Sequence, residues 1–173
     1  MHVFFAWHMT RLLRQKQFEA AETVCRKRIK RSPRNAEYHY WLGRTLWRQE
    51  QFDEAVKELR VAIGLRKATL SADRIDLIRV LLEARRYEEV LKECEHLTDP
   101  RFHKISGVFK KMHEYAAYEA KYQAYVGLRR YREAKEILKL LLPYQRGKGR
   151  DQLLHNIKVC EEFLVREDIE GPD

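Results

Sequence analysis

Apolar residues recur at spacings of three and four along almost the whole chain, with no alternating or β-branched runs between them, which predicts an all-α fold. Polar and special residues divide that pattern into elements. Asn35 is placed to N-cap a helix from Ala36, Ser71 to cap one from Ala72, and Asp99-Pro100 puts an acceptor at N-cap and a proline in the first turn. Pro33, Pro143 and Gly147-Lys148-Gly149 mark stops or breaks. Helices are thereby predicted at about 3–15, 18–32, 36–49, 52–66, 72–84, 87–97, 100–128, 131–144 and 151–166. Connectors of two or three residues force antiparallel pairing, giving four hairpins and a last helix that covers the apolar face left open by the fourth.

The hairpins also repeat. Phe18-Glu19-Ala20-Ala21, closed by Pro33, is answered 34 residues later by Phe52-Asp53-Glu54-Ala55. A period of that length is produced by stacked helical hairpins, each of which buries its apolar face only against its neighbours. Within residues 36–69, Leu42-Gly43, Phe52, Ala55 and Ala62 stand where the tetratricopeptide repeat has them, and this segment resembles that family, with His39 in place of its Trp and Lys67 in place of its Pro. Residues 2–35 fit the same frame through Phe18, Ala21 and Pro33, residues 71–104 through Leu81, Tyr87 and Val90, and residues 115–148 through Tyr125, Tyr131 and Ala134. The resemblance implies a right-handed superhelix of antiparallel helix hairpins, a solenoid, forming one domain over 1–167 with a capping helix at 151–166 and a frayed tail at 168–173. About ten residues near Lys104 to Glu114 exceed the period; a longer helix from Pro100, projecting or bent at Gly107, would absorb them.

Composition narrows function mostly by exclusion. The longest apolar runs fall well short of the roughly 18–20 residues a membrane helix needs. The start of the chain lacks a basic segment and a small-residue cleavage site, so the expected location is the cytoplasm. Three cysteines, Cys25, Cys94 and Cys160, without Cys-x-x-Cys spacing argue against a disulfide framework or a zinc site. Cys25 and Cys94 each lie seven residues after an aromatic, Phe18 and Tyr87, which places both on the inner face of equivalent helices. No metalloprotease, nucleophile-elbow, phosphate-loop or dinucleotide motif is present, and His96 and His103 do not supply a third ligand. No catalytic residue, metal ligand or cofactor is therefore assigned, and the expected role is non-enzymatic binding.

In tetratricopeptide arrays the first helix of each hairpin lines a concave groove. The resemblance thus implies groove positions at Tyr40, Arg44, Trp47 and Arg48, with Arg79 and Glu83 one repeat on. Residues 40, 44, 47 and 48 form a single helical stripe by spacing alone. Two aromatics beside two arginines suit a peptide with acidic or aromatic anchors. The competing reading packs Trp47 on the next hairpin and leaves the arginines as ordinary surface. The family members that clamp chaperone tails use asparagines with lysine and arginine, whereas the corresponding positions here are Ala6, Thr10 and Trp41, which disfavours that subtype. Tyr115, Tyr118, Tyr122 and Tyr125 form a second stripe, read as core packing against the third hairpin or as an interface.

Charge is uneven within a net +9. Residues 1–35 carry nine Lys or Arg against two Glu, and 101–150 thirteen against four, whereas 151–173 carry two against seven Asp or Glu. The densest run, Arg26-Lys27-Arg28-Ile29-Lys30-Arg31, allows a rival reading as an RNA- or anion-binding repeat. A solvated convex face explains it as well. A third reading is a self-assembling scaffold that stacks through Phe4, Phe5 and Trp7 of the first helix.

Overall fold

The computed structural model describes residues 2–66, 71–98 and 108–170, and every regular element among them is helical. These are α1 (His2–Arg14), α2 (Phe18–Arg31), α3 (Ala36–Arg48), α4 (Phe52–Leu65), α5 (Ser71–Glu83), α6 (Tyr87–Thr98), α7 (Val108–Gly127), α8 (Tyr131–Leu141), a 3₁₀ turn at Leu142–Tyr144, and α9 (Lys148–Glu170). Asn35 caps α3 as its sequence position suggests, its side chain accepting from the Glu37 N–H at 3.0 Å. α5 begins at Ser71, and the expected cap by its side chain lies outside the described residues. Pro143 stops α8 and sits in the 3₁₀ turn, where its missing N–H costs no helical bond. Gly147, at φ +52°, takes the left-handed position before α9, which starts at Lys148 and runs past the expected end at 166 to Glu170. The helix start at Asp99-Pro100, the bend at Gly107 and residues 171–173 lie outside the described residues.

One turn recurs. Lys16, Glu50, Arg85 and Arg129 have φ of 57, 61, 57 and 58°, and each stands two residues before Phe18, Phe52, Tyr87 or Tyr131. In three of these turns the residue after the left-handed one returns its N–H to a carbonyl five residues back: Gln17 to Leu12 and Gln51 to Leu46, both at 3.0 Å, and Arg130 to Tyr125 at 2.8 Å. This is the Schellman closure, which satisfies a helix's last carbonyls but favours glycine at the left-handed site. Lys, Glu or Arg there costs about 1 kcal/mol.

The chain falls into two compact units, residues 1–84 and 85–173. In the N-terminal unit α2 packs on α3, α3 on α4 and α4 on α5, around Met9, Ala21, Cys25, Leu42, Leu46 and Leu59, all essentially inaccessible. Cys25 Sγ lies 3.8 Å from Met9 Sδ. Gly43 permits a close approach of two helices: a Cβ there would sit 2.8 Å from Leu59 Cγ and 3.2 Å from the Ala55 carbonyl oxygen, so the α3–α4 contact needs a residue without one. His39, where the family has Trp, is buried and braces the same hairpin, with Nδ1 2.6 Å from Glu58 Oε2 and Nε2 2.9 Å from the Pro33 carbonyl.

In the C-terminal unit α7 packs on α6 and α8, and α9 on α8. Val90, Cys94, Ala117 and Ala124 are fully buried. Ala134, Leu138, Leu141 and Cys160 form a core cluster against which Tyr115, Tyr118, Tyr122 and Tyr125 pack, half-buried. The tyrosine stripe of α7 thus packs on the α8–α9 cluster, and Tyr115 and Tyr118 also meet the Tyr144 ring at centroid distances of 6.0 and 6.4 Å. Cys25 and Cys94 sit on inner helix faces at full burial, in line with their shared offset from the aromatics.

Candidate functional site

Local sequence puts Tyr40, Arg44, Trp47 and Arg48 on one face of α3, and the packing of α5 against α3 brings acidic side chains to that face. Asp76, 7% exposed, is the hub. The Tyr40 hydroxyl donates to Asp76 Oδ2 at 2.8 Å, and Arg44 Nη1 donates to the Tyr40 oxygen at 3.2 Å. Arg44 Nε and Arg79 Nη1 each lie 3.5 Å from an Asp76 oxygen. Burial, with the Asp76 charge adding to it, pushes the Tyr40 phenol up to about 12. Next to this set, Asp73 is 3% exposed and pairs with Arg66 Nε at 2.7 Å. Burial raises the Asp73 carboxyl above the usual range, and the arginine opposes that only in part. Farther along α3, the Trp47 indole N–H donates to Glu83 Oε2 at 2.7 Å.

Beside this network the N-terminal unit has an open cavity of about 450 Å³. Arg44, Trp47 and Arg48 of α3 and Arg79 of α5 line it together. Tyr40 and Glu83 are not in its wall; they hold Arg44 and Trp47 from behind through the bonds above. The remaining wall is Trp41, buried at 7% exposure, and Thr10, Leu13 and Arg14 of α1. Thr10 enters the sequence analysis only as a clamp position, and Leu13 and Arg14 are not assigned there, although a signal for all three exists: they stand 34 residues before Arg44, Trp47 and Arg48. Asp76 carried no comparable signal, because only the stacking of α5 on α3 brings it to Tyr40.

Four guanidinium groups and two indoles therefore face one concavity, and no carboxylate lines it among the described residues. Asp76 engages two of the four arginines, while Arg14 and Arg48 have no ion-pair partner among the described residues. Arg44 also lies over the Tyr40 and Trp41 rings, at 5.5 and 5.2 Å from their centroids, which fixes its direction. The site offers bidentate donors for carboxylate beside flat apolar area.

The basic run on α2 is partly used within the fold. Arg26 pairs with Glu22 at 2.8 Å and Glu54 at 3.2 Å, and Arg28 lies over the Phe5 and Tyr38 rings. Of the apolar residues on α1, Phe5 is buried, whereas Phe4 and Trp7 are exposed. Among the described residues no three metal-ligating side chains converge, and no helix is long and apolar enough to cross a membrane. The three cysteines are buried and none is in a disulfide, and burial pushes the Cys25 and Cys94 thiols to about 12.

Comparison with known proteins follows the same geometry. Residues 10–69 match the tetratricopeptide repeat family model. A solved structure, the MamA RS-1 ArsTM double mutant, has a similar fold, with a TM-score of 0.65 at 17% sequence identity over 95% of this chain and 95% of that chain. No curated protein matches the sequence.

Proposed function

We propose that this chain, whose residues 10–69 match the tetratricopeptide repeat family model, is a non-enzymatic adaptor that binds a partner's peptide in the concavity of the N-terminal unit. Repeats of this family mediate contacts between proteins. The observation that carries the finer reading is the cavity wall, in which four arginines stand with Trp41 and Trp47 and, among the described residues, no acid. Such a wall favours a segment with a carboxylate anchor next to an aromatic or aliphatic one. Arg14 and Arg48 take the carboxylate, the indoles take the apolar side chain, and Tyr40, Asp76 and Glu83 hold the wall in place before the peptide arrives. Buried cysteines outside any disulfide are in keeping with a cytoplasmic setting.

The test is calorimetric titration with a panel of short peptides that pair Asp or Glu with Phe, Trp or Leu, read against their Asn and Gln counterparts. Acidic members bind and neutral ones bind weakly. Trp47→Ala combined with Arg48→Ala lowers the affinity about tenfold or more. Unchanged affinity in that double variant, with folding intact by circular dichroism, removes the cavity from the binding site.

A further inference from the structure

The four guanidinium groups of the cavity come from three helices: Arg14 from α1, Arg44 and Arg48 from α3, and Arg79 from α5. Among the described residues Asp76 is the one carboxylate within ion-pair distance of them, at 3.5 Å from both Arg44 and Arg79. It does not saturate even that pair, since Arg44 Nε is buried without a hydrogen-bond partner. The next acid, Asp73, is taken up by Arg66 at 2.7 Å. Glu83 stands behind the wall, accepting from the Trp47 indole. Four arginines against Asp76 and Glu83 leave a formal charge of +2 at the wall.

A single carboxylate answers half of that excess, and its two oxygens lie in one plane, which suits one or two guanidinium forks. A phosphoryl group carries about −1.5 to −2 at neutral pH and presents three strong acceptor oxygens in different directions. Donors that converge from three helices around an open hollow match the second arrangement. The hollow, at about 450 Å³, admits such a group together with a neighbouring side chain, to which Trp41 and Trp47 offer apolar area.

We infer that the cavity is a receptor for phosphorylated peptides. A phosphoserine or phosphothreonine seats among Arg14, Arg44, Arg48 and Arg79, and an adjoining apolar side chain lies on Trp41 and Trp47. This rests on the peptide-binding reading above and specifies its anchor. Arg14 and Arg48, which have no ion-pair partner among the described residues, make most of the new bonds. Arg44, held over the Tyr40 and Trp41 rings, adds a donor whose direction is set in advance. Binding is thereby conditional on the partner's modification, because an unmodified hydroxyl brings no charge to the guanidinium groups.

The test is calorimetric titration of the full 173-residue chain with the peptide panel above, remade with phosphoserine, two adjacent Glu residues or serine at the acidic position. Phosphoserine members bind about tenfold or more tighter than single-Glu members, and serine members bind weakly. That advantage shrinks between about pH 7.5 and about pH 5.5, because phosphate takes up its second proton near 6 whereas the arginines of the wall do not titrate there. Inorganic phosphate competes only at much higher concentration, since it leaves the indoles uncovered. Arg14→Gln with Arg48→Gln removes most of the phosphoserine advantage. Lys27→Gln with Arg31→Gln, an equal loss of charge at exposed positions outside the cavity, leaves it in place; unchanged melting curves check the fold of both. Phosphoserine members that bind no tighter than single-Glu members, or that double-Glu members equal, overturn the inference and leave the acidic-peptide reading standing. Equal losses in the two double variants, or competition by inorganic phosphate at the peptide's own concentration, overturn it too. If no acidic or phosphorylated member binds, the acidic-peptide reading falls with it.

Discussion

Tyr40, Arg44 and Trp47 on α3 share their spacing with Tyr118, Tyr122 and Tyr125 on α7, yet the two stripes meet different surroundings. On α3 the facing helix is α5, which brings Asp76 and Glu83, and the stripe ends beside an open cavity. On α7 the stripe meets Ala134, Leu138 and Leu141 of α8 and packs into a core. The aromatic periodicity is common to both. The chemistry of the neighbouring helix decides whether it becomes a bracket for charged groups or a layer of the interior.

The largest separation between the two should come from Leu138→Ala, which removes a fully buried side chain under the tyrosines. A loss of about 3 kcal/mol is expected in urea unfolding. Trp47→Ala, at a partly exposed position beside the cavity, should cost about 1 kcal/mol or less, an asymmetry that equal losses would refute.

Gly43→Ala should cost about 2 kcal/mol, because the added methyl meets Leu59 Cγ and the Ala55 carbonyl across the α3–α4 contact. A melting temperature unchanged from the original chain would show that this hairpin is not held as closely as described.

A smaller effect is expected at alkaline pH. The folded chain keeps the Tyr40 proton up to about 12, whereas an unfolded tyrosine releases it near 10, so stability falls as pH rises through that window. Tyr40→Phe should flatten the decline by at most about 1 kcal/mol, since the ring is only partly buried and solvent screens part of the effect. The comparison is between the slopes of the two proteins, because Cys25 titrates in the same direction in both. Equal slopes would mean that Tyr40 is not held against Asp76.

Features encoded locally were legible in the sequence. The Asn35 cap, the stop at Pro143, the place of Gly43 and the inward Cys25 and Cys94 each follow from neighbours within a turn or two, or from the offset to an aromatic. What sequence reasoning missed depends on packing between helices. Asp76, which partners Arg44 from 32 residues away, is not legible from the spacing of α3 alone. The tyrosine stripe, expected as core packing against the third hairpin or as an interface, does pack on a core, and the partner that spacing alone does not give is the α8–α9 cluster. Lys148 and Gly149, read as part of a loop, join α9, since Gly147 alone completes the left-handed turn.

The smallest expected change is a gain. Glycine at Lys16, Glu50 or Arg129 should stabilise the chain by about 0.5 kcal/mol each, by relieving the left-handed backbone at no loss of a core contact. Additive gains in chemical denaturation would confirm three equivalent turns, and a loss at any one would single it out as dependent on its side chain.

Those turns also give an experimenter a set of adjustable screws. None of the four residues lines the cavity of the N-terminal unit, so the rigidity of successive hairpins can be raised or left alone one at a time while the binding wall keeps its chemistry. A graded series of such variants would measure how far recognition depends on a stiff frame as distinct from the side chains that the frame presents.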